Sequence, residues 1–72
     1  MPLTTFLATL TQLIMERYPQ GFTLSLYDSD LSIGVIYKHT PYAFRHQLDT
    51  LYIQSSKEHA TGYLSTLLDA LP

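Results

Sequence analysis

Apolar residues recur at helical spacing along the first part of the chain, with threonines, Gln12 and Glu16 falling mostly on the other faces. The apolar positions are Leu3, Phe6, Leu7, Leu10, Leu13, Ile14 and Tyr18. This pattern predicts an amphipathic helix over Leu3 to Tyr18. We expect Pro19 and Gly21 to end it, because proline disfavours helical geometry in the preceding residue and glycine suits the exit turn.

The next stretch alternates between apolar and polar residues, which predicts two strands. In the first, Phe22 to Tyr27, the side chains Phe22, Leu24 and Leu26 share one face. In the second, Leu31 to Lys38, one face carries Leu31, Ile33, Val35 and Tyr37, and the other carries Gly34 and Ile36. Asp28-Ser29-Asp30 has turn chemistry, so the two strands are expected to form an antiparallel β-hairpin.

The segment from Thr40 to Ile53 fits two structures, and a helix is favoured. Thr40 suits a helix N-cap and Pro41 the first helical turn. The helical stripe would comprise Phe44, Leu48, Leu51 and Tyr52, with an Arg45–Asp49 ion pair one turn apart. In the alternative, a strand places Tyr42, Phe44, His46 and Leu48 on one face. A hybrid with a short strand first is also open.

A final helix is predicted from Ser55 onward. Ser55-Ser56-Lys57-Glu58 fits a capping box. Helical spacing then continues through Ala60, Tyr63, Leu64, Leu67, Leu68 and Leu71. Gly62 lies inside this helix, and we expect close approach of another element to explain it.

Together these elements predict one α+β domain spanning residues 1–72, in the order α-β-β-α-α with a two-stranded antiparallel hairpin. The alternative is the order α-β-β-β-α, with the helices on one face of a three-stranded sheet. An isolated hairpin is marginal in water. The favoured order therefore predicts that the hairpins of two copies of the chain pair across a two-fold axis and form a four-stranded sheet.

Composition narrows the classes of protein to which this chain can belong. Its 72 residues include no cysteine, which excludes disulfide bonds and favours a cytoplasmic location for the protein. No apolar run is long enough for a membrane span, and the N-terminus does not resemble a secretory signal. The formal net charge is −2, and the four permanent cations Arg17, Lys38, Arg45 and Lys57 are scattered. Nucleic-acid binders cluster such cations, so binding of this kind is not the favoured function.

Few residues suggest site chemistry. His39, His46 and His59 could form a metal site, but no pair has the usual helical ligand spacing, and solvated or locally bonded imidazoles are favoured. Asp28 and Asp30 supply too few oxygen ligands for a calcium site, and we interpret them as part of the hairpin turn. No nucleophile elbow or glycine-rich phosphate loop is present. We therefore expect no enzymatic activity and no cofactor.

Six tyrosines are a more informative feature, because tyrosine is enriched at protein interfaces. A chain this short, without disulfides, sits at the limit of what one core can stabilise. We therefore expect a non-enzymatic protein–protein interaction module that forms a homodimer. The expected contact residues are Tyr27, Ile36, Tyr37 and Tyr42, with Asp28 and Asp30 steering the approach. Small acidic domains of this kind occur as regulatory subunits and as inhibitors carried by phages and other mobile elements, which act by occupying a partner's surface.

The alternative order α-β-β-β-α, with Ser56-Lys57 opening the last helix and Ala60 following, resembles a double-stranded RNA-binding domain. The resemblance covers the chain in element order but only these three residues in sequence. It implies an RNA-binding function in which lysines at the start of the last helix grip phosphates. Here that cluster is reduced to Lys57, followed by Glu58 and His59.

Overall fold

The computed structural model describes residues 1–72 and contains three helices and three strands. The fold is α+β, with the element order α-β-β-β-α-α. The helices are α1 (Leu3–Arg17), α2 (Thr50–Ser55) and α3 (Lys57–Asp69). The strands are β1 (Phe22–Tyr27), β2 (Asp30–Tyr37) and β3 (Thr40–Gln47). This arrangement confirms the alternative order, with one additional short helix.

The three strands form one antiparallel sheet in the order β1-β2-β3. Leu31, Ile33 and Val35 alternate along the central strand and are buried on one face. The helices cover that inner face. The core cluster joins the strand residues to side chains from all three helices: Phe6, Leu10 and Ile14 from α1, Ile53 from α2, and Ala60, Leu64 and Leu67 from α3.

The predicted helix over Thr40–Ile53 is wrong for its first half. Tyr42 lies opposite Val35 and Phe44 opposite Ile33, so β3 gains apolar cross-strand pairs that an isolated helix would lack. Arg45 forms an ion pair with Asp30 at 3.6 Å, not with Asp49. The predicted apolar stripe is also wrong at Leu51, which is 80% exposed.

Two polar contacts fix the change from strand to helix after Gln47. The Tyr63 hydroxyl accepts from the backbone N–H of Asp49 at 3.2 Å and donates to the carbonyl of Gln47 at 3.2 Å. Asp49 then caps α2, because its Oδ1 accepts from the N–H of Tyr52 at 3.1 Å. The segment is therefore a strand, a corner and a short helix of about one and a half turns, and not the predicted continuous helix.

Two expectations for the last helix need correction. Its N-cap is Ser56, whose Oγ accepts from the N–H of His59 at 3.0 Å, so the capping serine lies one residue after Ser55. At Gly62, a built Cβ would meet no atom within 4 Å. Close approach of another element therefore does not explain this glycine.

Candidate interaction edge and outer sheet face

The two outer strands expose edges of different character. Backbone hydrogen bonding alternates along an antiparallel pair. Because the N–H of Ile36 donates to the carbonyl of Gly21 at 3.1 Å, the odd-numbered residues of β1 bond to β2. The N–H and C=O groups of Phe22, Leu24 and Leu26 therefore face the open edge. Their side chains lie on the inner face and are only partly buried at the margin of the core.

The β3 edge carries features that oppose strand addition. The N–H of Leu48 donates to the carbonyl of Ser29 at 2.7 Å, which fixes the alternation so that Pro41, Ala43, Arg45 and Gln47 face outward. Pro41 has no N–H to offer a further strand, and Arg45 adds an exposed charge. The β1 segment Phe22–Tyr27 contains neither proline nor a charged residue. The sheet thus has one obstructed edge and one open edge.

The outer face of the sheet carries small side chains around a shallow hollow. Gly34 forms its floor, and the hollow has a volume of about 270 Å³. Residues of all three strands line it, among them Thr23, Ile36, Pro41 and Ala43. The Ile36 side chain leans over the backbone of Gly21, where its Cδ1 lies 3.0 Å from the position a Cβ would take. No helix covers this hollow, and Ile36 is 40% exposed.

The six predicted contact residues separate into two groups at opposite ends of the sheet. Tyr27, Asp28 and Asp30 surround the β1–β2 turn, whereas Ile36 and Tyr37 lie at the far end of β2, with Tyr42 beside them on β3. Asp30 and Tyr37 begin and end that strand, about 23 Å apart for seven extended steps. The six residues therefore do not form one continuous patch within a single copy of the chain.

The two tyrosines of the far group lie at the margin of the core rather than on the outer face. The Tyr37 ring makes an edge contact with buried Tyr18 at 6.3 Å between centroids and meets Tyr42 at 6.5 Å. Lys38 places its Nζ 5.2 Å from the centre of the Tyr37 ring. Tyr27 differs from both, because it is 80% exposed and lies on the outer face opposite Asp30.

The three histidines lie apart. His39 is in the β2–β3 turn, and the His46 Nε2 lies 3.1 Å from the Tyr63 hydroxyl. His59 is stacked on Tyr52 with 4.1 Å between ring centres, and its Nδ1 lies 2.8 Å from the Ser55 Oγ. No three His, Asp or Glu side chains group in a way that could hold a metal ion. The structure therefore adds no support to the metal-site alternative.

The residues behind the resemblance to RNA-binding domains have ordinary structural positions. Ser56 caps α3, Lys57 is its exposed first residue, and Ala60 is buried in the core. Glu58 and His59 share the first turn of α3 with Lys57, so no second permanent cation accompanies it there.

None of the helices has the length and apolar content needed to cross a bilayer.

Comparison with known proteins adds no relatives: no protein-family model, curated protein or solved structure matches the chain. Alternation in the sequence assigns Tyr27 and Ile36 to the strand faces opposite the apolar ones, but it did not predict the open β1 edge or the hollow at Gly34. Both depend on the strand order β1-β2-β3, which assigns the outer positions to β1 and β3. A local signal for the open edge was present, however, since Phe22–Tyr27 is the strand without charge or proline.

Proposed function

We propose that this chain is a non-enzymatic protein–protein interaction module that works as a homodimer, joined through the open edge of β1. The open edge itself carries the proposal. It offers unpaired backbone donors and acceptors together with three partly exposed apolar side chains, and no charge or proline opposes a further strand. Two copies joined in this way would share a six-stranded sheet, in place of the four-stranded sheet expected from a two-stranded hairpin.

Burial at the margin of the core also supports this assembly. On the inner face of β1, Phe22, Leu24 and Leu26 pack against the core but keep part of their surface exposed. The β1 of a second copy would cover this surface with the same three side chains. Burial of apolar surface stabilises an interface by about 25 cal/mol for each Å² removed from water. A regulatory or inhibitory role, in which the dimer occupies the surface of another protein, stays a prediction from the sequence.

Sedimentation velocity with a matched pair of variants tests the proposal. The N–H of Leu24 faces the open edge, so Leu24→Pro removes a donor that β2 does not use. Leu24→Ala removes most of the same apolar side chain but keeps the N–H. We expect the unaltered chain to be a dimer at micromolar concentration, Leu24→Pro to be monomeric, and Leu24→Ala to be only weakened.

Circular dichroism checks that Leu24→Pro still folds. If that variant unfolds, the concentration dependence of the unaltered chain decides the question. A monomer persisting at concentrations on the order of 100 µM would contradict the proposal, because Kd would then be weaker than the roughly micromolar value expected for a specific dimer. Equal dimerisation of Leu24→Pro and Leu24→Ala would also contradict it.

A further inference from the structure

Tyr27 and the hollow at Gly34 lie too far apart to meet within one chain. Tyr27 projects from the outer face at the end of β1 and is 80% exposed. The hollow begins at Gly21, just before the start of β1, and extends over Gly34 and Ile36. Six residue steps separate Tyr27 from Gly21, about 20 Å along an extended strand. Only a second copy of the chain can bring this ring to this hollow.

The hydrogen-bonding capacity of the open edge selects one alignment of two β1 strands. An antiparallel arrangement centred on Leu24 pairs Leu24 with itself and Phe22 with Leu26. All outward-facing backbone groups are then used, in about six hydrogen bonds. Sliding either strand by two residues leaves one outward residue of each copy unpaired and reduces the total to about four. The centred alignment also places apolar side chains opposite one another on the inner face.

From this alignment we infer that Tyr27 of each copy packs on Gly21 and Ile36 of the other, at the β1 side of the outer hollow. The inference rests on the proposed function and specifies its partner and register. Tyr27 falls directly opposite Gly21 of the second copy in a non-hydrogen-bonded pair, where side chains approach most closely. Gly21 has no side chain to obstruct the ring, and the Ile36 side chain that leans over it supplies an apolar surface. An aromatic residue covering a cross-strand glycine is a recognised way to fix register.

The distribution of charged residues at the two ends of β1 favours the antiparallel arrangement over a parallel one. The β1–β2 turn carries Asp28 and Asp30, whereas Arg17 precedes the start of β1 at the opposite end. In the centred alignment Asp28 lies opposite Gln20 of the second copy, three residues from Arg17. A parallel arrangement would instead place the two acidic turns side by side, which is unfavourable. The acidic turn of each copy therefore lies nearer to a cation of the other copy than it would in a parallel arrangement.

Cysteine cross-linking tests the register, and the absence of native cysteine leaves no competing thiol. In the centred alignment Thr23 faces Ser25 of the second copy across a close pair, whereas identical residues lie beyond the Cα separation a disulfide allows. A mixture of the Thr23→Cys and Ser25→Cys variants is oxidised gently and the products are resolved by mass spectrometry. We expect the mixed disulfide to exceed each self-disulfide by roughly tenfold or more.

Sedimentation of the reduced variants separates the two proposals. Dominant self-linked Thr23→Cys or Ser25→Cys would indicate an alignment shifted by two residues and overturn the register while leaving the dimer in place. A dimer that forms neither mixed nor self-linked species would show that β1 is not at the interface, and it would overturn both the proposed joining through β1 and the placement of Tyr27. Reduced variants that are monomeric when the unaltered chain is also monomeric would contradict the proposed function itself.

Discussion

Pro41 lies directly opposite Ile36, in a position of the β2–β3 pair where neither residue bonds to the other. The proline nitrogen therefore points away from β2, and its missing N–H costs the sheet no ladder hydrogen bond. The same orientation removes a donor from the exposed edge of β3. Pro41 is thus compatible with a strand and also makes β1 the favoured edge for association.

Tyr27 and Ile36 should be energetically coupled in the assembled protein but not in the isolated chain. We expect Tyr27→Ala to weaken dimerisation more than it weakens folding, since the ring is 80% exposed in one copy. A double-mutant cycle with Ile36→Ala, measured on the dimer dissociation constant, should give a coupling of about 0.5–1.5 kcal/mol. The same cycle measured on unfolding of a monomeric Leu24→Pro background is the control. Additive effects on dimerisation would place the two side chains out of contact.

The β2–β3 turn should be easy to stabilise. Lys38 and His39 both have positive φ, 51° and 66°, as a type I′ turn requires, yet neither is glycine or asparagine. Lys38→Asn combined with His39→Gly should therefore raise the free energy of unfolding by roughly 1 kcal/mol. Urea unfolding at fixed protein concentration measures the change.

The other hairpin turn provides the control for this pair of substitutions. Ser29 is not among the residues with positive φ, so Ser29→Gly should give no gain. A similar stabilisation by both sets of substitutions would show that strain at Lys38 and His39 is not the cause.

Two glycines should respond in opposite directions to the same substitution. Gly62 is an exposed helical residue with free space around it, so Gly62→Ala should stabilise the protein by roughly 0.5–1 kcal/mol. At Gly34 the new Cβ would lie 2.6 Å from the Thr23 Oγ1, and Gly34→Ala should destabilise it. Thermal unfolding of the two variants at equal concentration compares them. A loss of stability in Gly62→Ala would indicate that this position is covered in the assembled protein.

The leucines differ sharply in their expected contribution to stability. Leu10 and Leu67 are 0% and 1% exposed, so truncation to alanine should cost about 2–5 kcal/mol each. Leu51 is 80% exposed, and Leu51→Ala should change stability by less than about 0.5 kcal/mol. Chemical denaturation of the three variants provides the comparison. A large cost at Leu51 would mean that a second copy or another element covers it.

Local periodicity was sufficient to predict both long helices and the first hairpin, because their apolar side chains face one core. It failed at Thr40–Gln47 for a physical reason: Pro41 suits a helix start as well as an edge strand, and Lys38-His39 lacks the usual turn residues. Pairing with β2 decides between the two, and no local pattern reports it. For the candidate site, the assignment of Tyr27 and Ile36 to the face opposite the core followed from alternation, whereas their separation and the open edge required the sheet order.

The contrast between the strand edges has a consequence for stoichiometry. A sheet that could accept a neighbour on both sides would recruit copies without limit and grow into a fibre. Here Pro41 and Arg45 obstruct one side. In the proposed dimer the two permissive sides are joined and only the obstructed edges are left, so we expect growth to terminate at a pair.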